Sequence, residues 1–511
     1  MEWSQYQEDI FDAINKVLDR DLVVLARAGT GKTTTMIEAV IRFCEMNPQA
    51  RVLTCAFNRK SAEDLAEKLQ SAGLKFPRVA AQTLNGVGLS TCKRAWGKSL
   101  QTDPRKGRTV AQQVAQEHQQ AVIEAGETFG FQEKQRLATQ ISKLAQLAKA
   151  TLTPHKSRSA LRSLSDRFGL TTRAEVKILV SLTSRALFLS TEQPKTEDPE
   201  ALFWASPPKS VDFDDQIWFP HLFDLTPYQA DLVIVDEAQD MNAAQLSLAR
   251  KAVKPGGRLV AVGDDRQAIY SWRGADSGFL NRMIDELNAA VLPLPRTYRC
   301  GHAIVREAQQ LVPDYEADES NELGQVTGLS TVDMFNMVRP GDFILSRLNA
   351  PLLSICLTLL KDRVPASIQG RDIMGQLIGL IKHAKCHTVA ALLNFLPSYE
   401  LREHKKLRKA DAEPEIISAL LDRVACLRVL AQEHTYCEDL VKHLDTLFRD
   451  HADAAKVILS SIHRAKGLER DRVFLLKDTF RADGGSEENN IRYVAITRAK
   501  SALYYVMEDS K

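Results

Sequence analysis

The chain has 511 residues, 44% of them hydrophobic and 26% charged, enough for two or more domains with a core each. Its 67 Lys and Arg against 65 Asp and Glu leave a net charge of +2, which excludes a uniformly basic coating protein and confines any nucleic-acid site to a local groove. No apolar run approaches the roughly 18–20 residues of a membrane span, and eight cysteines without a CxxC pair point to a reducing, cytoplasmic compartment.

The N-terminal MEWSQYQEDIFDAI reads as an amphipathic helix and not as a signal peptide, because no basic segment precedes an apolar one. Leu22–Leu25 is the first of several short, near-continuous apolar runs, the pattern of strands buried on both faces. Arg51–Phe57, Arg78–Thr83, Asp231–Val235 and Arg258–Val262 follow, alternating with helical stretches as in a parallel α/β domain. From Thr91 to Ser206 the chain turns Gln-, Ala- and Leu-rich, with no proline between Arg105 and Thr153, which predicts a helical insertion into this first core. A second series, Val291–Leu294, Phe343–Ser346, Val457–Ser460, Val473–Leu476 and Ala502–Val506, predicts a second core. Another helical stretch interrupts it from about Gly375 to Ala452, where Pro414 opens a helix with Ile417, Leu420, Leu421, Val424 and Leu427 along one face. The basic runs CKRAWGKSLQTDPRKGR and LREHKKLRKAD suit either a DNA backbone or a solvated face. His383, Cys386 and His387 share helical spacing, with no further metal ligand in view.

Two segments carry chemistry on their own. LVVLARAGTGKTTT puts a glycine-rich turn directly after a strand and at the start of a helix. The backbone N–H groups of Ala28, Gly29, Thr30, Gly31, Lys32, Thr33 and Thr34 can then close around phosphate oxygens, whose charge the helix N-terminus favours. Lys32 is placed to reach the β/γ-phosphates and Thr33 to ligate Mg²⁺, although Ala26 stands where the strict pattern has glycine. LVIVDEAQD ends a second strand on an acidic pair: Asp236 can hold Mg²⁺, and Glu237 can act as general base on an attacking water. Together they predict nucleotide hydrolysis with Mg²⁺ as cofactor.

Beyond these two segments the chain resembles the UvrD/PcrA/Rep-like helicases of superfamily 1A, nearly from end to end. WSQYQ is similar to the family's Q motif, with Gln7 at the adenine-reading position and Trp3–Ser4 replacing the usual Leu–Asn. LTCAFNRKSAEDLAEKL and AQTLNG look like its DNA-contacting segments, which would give Phe57, Thr83 and Asn85 to the strand; Asn85 stands where histidine is usual. VDFDDQIWF is a further hallmark, or simply a helix start with acidic caps. AVGDDRQAIYSWRGAD is the most diagnostic run. By resemblance Gln267 senses the γ-phosphate, Tyr270 and Trp272 stack on bases, and Arg273 supports the coupling. Stacking is worth about 1–3 kcal/mol per base, against about 1.4 kcal/mol for a base-pair step, so such aromatics can hold a separated base. PRTYRC and ITRAK resemble the segments whose arginines reach the γ-phosphate, here Arg299 and Arg498. SIHRAKGLE resembles a further family segment, which would put His463 near DNA and Glu469 near the ribose; an ordinary strand-end histidine is the other reading of His463.

The resemblance implies an α/β fold of two tandem RecA-like P-loop NTPase domains, each with a mainly helical insertion, and ATP between them. The expected division is 1–91 and 206–282 for the first core, 92–205 for its insertion, 283–375 and 453–511 for the second core, and 376–452 for the second insertion. It further implies an ATP-dependent single-stranded DNA translocase and helicase of 3′→5′ polarity in replication, repair or recombination. Single-stranded DNA and single/double-strand junctions would be its partners, with a possible protein partner, no membrane, and a monomer when free. Two other readings stay open. A DNA-stimulated ATPase switch or motor subunit of a larger repair or defence complex is motivated by the small second insertion. An RNA-directed helicase of the same fold would be told apart by the 2′-OH.

Overall fold

A computed structural model of the chain describes residues 2–15, 20–170, 175–191, 208–269, 278–409, 414–431, 434–447, 456–481 and 485–507. Two units form. One comprises Met1–Leu25, Lys32–Asp265 and Tyr270–Leu294, the other Ala26–Gly31, Arg266–Ile269 and Pro295–Lys511.

The first unit is built on a six-stranded parallel sheet. Its strands lie in the order Val79–Thr83, Val52–Ala56, Ala230–Val235, Val253–Gly263, Leu22–Ala26, Ala290–Leu294. Registers such as Leu22↔Val260 and Val52↔Leu232 pack Val23, Leu53, Val233 and Leu259 into one core. Helices Lys32–Met46, Arg59–Ser71 and Leu84–Trp96 follow the first three strands in sequence. The latter two are capped by side chains, Asn58 accepting from Ser61 N and Thr83 from Gly86 N. Because the strands are parallel, Leu22–Ala26, Ala230–Val235 and Val253–Gly263 release the GKT, DEAQD and GDD segments from the same sheet edge, where open α/β sheets hold ligands.

The stretch after Thr91 is helical as expected: Lys106–Glu124, Phe131–Ala150, Arg158–Arg167 and Val176–Ser190 pack Val114, Ile141, Leu144, Leu161 and Leu187 with Trp218 and Phe219. The two aromatics stand on Phe213–Leu222, the helix that returns the chain to the sheet.

The second unit holds another six-stranded parallel sheet, in the order Gln325–Ser330, Ala499–Met507, Arg470–Leu476, Phe343–Ser346, Val457–Ser461, Ala366–Ile368. Helices Arg371–Ala384, Val389–Lys409, Pro414–Ala431 and Cys437–Leu447 intervene before Val457–Ser461 and share a core through Leu377, Leu396, Val424, Leu427 and Leu440.

Three expectations need correction. The run at Val291–Leu294 belongs to the first sheet, as its edge strand beside Leu22–Ala26. Pro293, which cannot donate to a ladder, fits an edge. Each sheet therefore has six strands and not five: Gln325–Ser330 is half-exposed and interrupted by Gly328, and Ala366–Ile368 is only three residues long, so neither makes an apolar run. On the Pro414 helix, Leu420, Val424 and Leu427 are buried but Leu421 faces solvent. His383 packs edge-on against Phe395 and Tyr399, and no metal-holding group of three His, Cys, Asp or Glu occurs among the described residues. No helix among them is long and apolar enough to cross a membrane.

Candidate nucleotide and DNA site

Lys32 opens the helix Lys32–Met46, so its N–H and those of its neighbours head a helix N-terminus. Gly29 and Gly31 have φ of 71° and 75°, the left-handed backbone that glycine adopts without strain. A Cβ at Gly29 would also meet Arg299 Cβ at 2.5 Å and Thr297 Oγ1 at 2.6 Å. Thr30 Oγ1 tightens the turn by donating to Arg27 O at 3.0 Å.

The strand Ala230–Val235 delivers the acidic pair to this edge. Lys32 Nζ lies 3.5 Å from the Glu237 carboxylate. Glu237 itself has φ 54° and ψ 42°, a left-handed conformation costing a non-glycine residue roughly 1–2 kcal/mol. Two bonds hold it there. Its N–H donates to Asp236 Oδ1 at 2.8 Å, and its Oε2 accepts from Gln239 Nε2 at 2.5 Å. Gln239 is buried, and its Oε1 accepts from Asp264 N at 3.0 Å, tying the DEAQD turn to the end of the strand Val253–Gly263.

Burial pushes the Asp236 carboxyl up to about 6; the Glu237 charge adds to the rise, and Lys32 opposes it. Thr33 and Asp236 line one small cavity with Thr54. One hydroxyl and one carboxylate beside incoming phosphate oxygens are the donors Mg²⁺ takes, and a cation there would return Asp236 to its ionised form. The residues present fit that ion.

Gln7 is buried on the helix Gln5–Asn15. Its Oε1 accepts from Ser4 N and Ser4 Oγ, both at 3.0 Å, and its Nε2 donates to Thr35 Oγ1 at 2.9 Å, fixing the amide against the helix Lys32–Met46. Thr34 is exposed.

The expected DNA contacts divide. Phe57 is exposed, and with Asn85 it lines a cleft that also contains Asp236, Glu237, Met241 and Gln245. Asn85 Nδ2 donates to Phe213 O at 2.8 Å and approaches Gln216 Oε1 at 3.4 Å, so the VDFDDQ segment holds it. Thr83 spends its hydroxyl on the helix cap. Tyr270, Trp272 and Arg273 lie outside the described residues.

The second unit brings Arg299, Glu469 and Arg498 together. Arg299 Nε lies 2.5 Å from Glu469 Oε2, which shares its carboxylate with Lys500 Nζ at 3.0 Å. Burial would raise Glu469, but Arg299 and then Lys500 outweigh it and hold the carboxyl below its usual range. Arg498 is buried, donating to Val494 O, Leu468 O and Thr497 Oγ1 at 2.9, 3.1 and 3.1 Å. Burial, reinforced by Arg299, lowers its pKa to about 10. Gln267 is buried and its carbonyl accepts from Lys466 Nζ at 2.8 Å; His463 is half-buried on the short helix Ile462–Ala465.

Residues 6–288 match the UvrD/REP helicase N-terminal domain and residues 381–510 the UvrD-like helicase C-terminal domain. The chain belongs to the UvrD/REP helicase family. It is 26% identical over 525 residues to F-box DNA helicase protein 1 of Schizosaccharomyces pombe, covering 94% of this chain and 55% of that one. Against ATP-dependent DNA helicase Rep of Escherichia coli it is 26% identical over 335 residues, covering 61% and 45%. A probable DNA helicase II homolog of Rickettsia felis is 22% identical over 621 residues, covering 96% and 90%. The chain thus spans about half the length of the first two relatives.

Within this member of the family, sequence reasoning missed the residues that steady the GTGKT turn. Ala28 N donates to Tyr493 Oη and Ala28 O accepts from Tyr315 Oη, each at 2.9 Å. Arg27 meets Asp314 Oδ2 through Nε and Nη2 at 3.0 and 2.8 Å. Tyr493 lies in the same run as Arg498 and could have been flagged as a buried tyrosine in need of a partner; Asp314 and Tyr315 carry no local signal.

Proposed function

We propose that the chain is an ATP-dependent DNA translocase and helicase that moves 3′→5′ on single-stranded DNA in replication, repair or recombination. The observation that carries this reading is the approach of Lys32 to Glu237 at 3.5 Å, on a turn whose cleft also holds Phe57 and Asn85. Hydrolysis and strand contact then share one piece of backbone.

In the reaction a water attacks the γ-phosphorus, the bond to the bridging oxygen breaks, and ADP leaves. Glu237 takes the water's proton, its carboxylate aimed by Gln239. Lys32 exchanges its contact with Glu237 for the β/γ-phosphate oxygens. Gln267, Arg299 and Arg498 act on the γ-phosphate, where guanidinium forks suit charge spread over three oxygens. Gln7 reads the adenine and Glu469 the ribose. Thr33 and Asp236 would hold Mg²⁺, which would supply further positive charge beside the phosphate. Phe57, Thr83, Asn85, Tyr270, Trp272, Arg273 and His463 are the proposed DNA contacts, each within its own unit.

Among the described residues the second insertion carries the helices Arg371–Ala384, Val389–Lys409, Pro414–Ala431 and Cys437–Leu447, and its small size favours a second reading, a DNA-stimulated ATPase switch that unwinds only within a larger complex. Strand displacement on duplexes with a 3′ tail, a 5′ tail or none, with Lys32→Ala as control, decides. Opening of the 3′-tailed duplex alone supports the helicase. Stimulated hydrolysis without displacement on any substrate replaces it by the switch, and preference for the 5′ tail refutes the polarity.

A further inference from the structure

The helix Phe213–Leu222 begins on an unusual foundation. Asp212 caps it, accepting from Asp215 N at 2.7 Å, and Asp215 returns the bond to Asp212 N at 3.3 Å. A surface cap needs nothing more. Here two lysines of the helical insertion are driven into the same carboxylates. Lys149 Nζ lies 2.6 Å from Asp215 Oδ1 and 3.4 Å from Asp212 Oδ2. Lys106 Nζ lies 3.2 Å from Asp215 Oδ2 and donates to Ser210 O at 2.6 Å. Both lysines are 4% exposed and Asp215 is fully buried. Burial would neutralise Lys149, yet Asp215 and Asp212 outweigh it and hold its pKa above the usual lysine value.

Stability alone does not explain such a cluster, because apolar side chains of similar volume commonly hold helices together as well or better than buried ion pairs. What the ions add is a fixed geometry for the turn they share. That turn presents Phe213 O and Gln216 Oε1 to Asn85, whose segment lines the cleft of Phe57, Asp236 and Glu237.

We propose that Lys106, Lys149, Asp212 and Asp215 are positioning residues through which the helical insertion sets the DNA affinity of the Asn85 segment. The inference rests on the reading of that segment as a DNA contact. Its test is ATP hydrolysis titrated with a thymidine-only DNA oligonucleotide, for the native chain, Lys106→Met, Asn85→Ala and the double variant. Lys106→Met should raise the DNA concentration for half-maximal stimulation about tenfold, with the DNA-free rate and the KM for ATP unchanged. Because Lys106 acts through Asn85, the double variant should be no worse than the weaker-binding single one.

Unchanged half-saturation, additive losses, or a DNA-free rate that falls in step with the stimulated one would each overturn the proposal. Should Lys106→Met lose its cooperative melt, Lys106→Gln, which removes the charge but keeps a donor for Ser210 O, is judged by the same criteria. A native chain that DNA does not stimulate at all would overturn the underlying DNA reading, and the coupling with it.

Discussion

Replacing Gln239 by alanine should separate the aim of the proposed catalytic base, Glu237, from its chemistry. Gln239 makes one bond to the Glu237 carboxylate at 2.5 Å and another to Asp264 N at 3.0 Å, and it is 1% exposed. A hydrogen bond to an ionised group contributes about 1.5–3 kcal/mol. If that aim is needed in the transition state, kcat falls roughly 10- to 150-fold. Asp264 N–H loses this acceptor as well, which costs about 1–3 kcal/mol of stability and a few degrees of Tm. Steady-state hydrolysis at saturating ATP, run well below the variant's melting temperature, reads the first effect; a thermal melt reads the second. ATP affinity should hold, since the side-chain bonds of Gln239 go to Glu237 and Asp264 N and not to Lys32. A lower Tm with unaltered kcat would refute the reasoning and leave Gln239 as mere packing between two strand ends.

Glu237→Gln should bind ATP and DNA normally yet turn over at least a hundredfold more slowly, as single-turnover hydrolysis would show; a normal rate would move the base elsewhere. Trp272→Ala should keep most DNA-free hydrolysis and lose much of the stimulation by single strands, on the scale of about 1–3 kcal/mol of stacking; equal stimulation would remove its stacking role. Asp214 carries a pH signature. Burial, joined by Asp212 and opposed by Lys149, pushes its carboxyl up to about 6. A raised acid pKa means that stability from this group is whole below its unfolded value and is lost as pH rises through the folded one. Asp214→Asn should therefore gain on the native chain between about pH 4 and pH 7, by at most about 3 kcal/mol. Melts at both ends of that range check it, and a constant gap would refute it.

The parts of the site that are legible in the sequence are those whose chemistry is consecutive. GTGKT is a turn because the glycines make it one, and DEAQD follows its strand without interruption. Contacts that depend on the path of distant segments leave no such trace. Nothing around Tyr315 announces that its hydroxyl will reach Ala28, and Ser4 reveals only in three dimensions that it fixes the Gln7 amide. VDFDDQIWF shows both sides. Its acidic caps were readable, whereas the lysines that fill them come from about 60 and 100 residues upstream. Sheet membership fails for the same reason. Ala290–Leu294 is an apolar run of the right length, but an edge strand can join whichever sheet offers a free edge, and composition does not choose.

The strand order of the first sheet also bears on how the chain is made. Leu22–Ala26 sits between Val253–Gly263 and Ala290–Leu294, so this strand has no native neighbour in its sheet until about 230 residues later in the chain. At 5–20 residues per second, this strand waits roughly 10–50 s with both hydrogen-bonding edges unpaired by their native neighbours. Over that interval the ribosome-bound fragment is a template for foreign strands. A chain stopped anywhere between the GKT turn and residue 253 therefore lacks the strands that flank Leu22–Ala26 and leaves its edges unpaired.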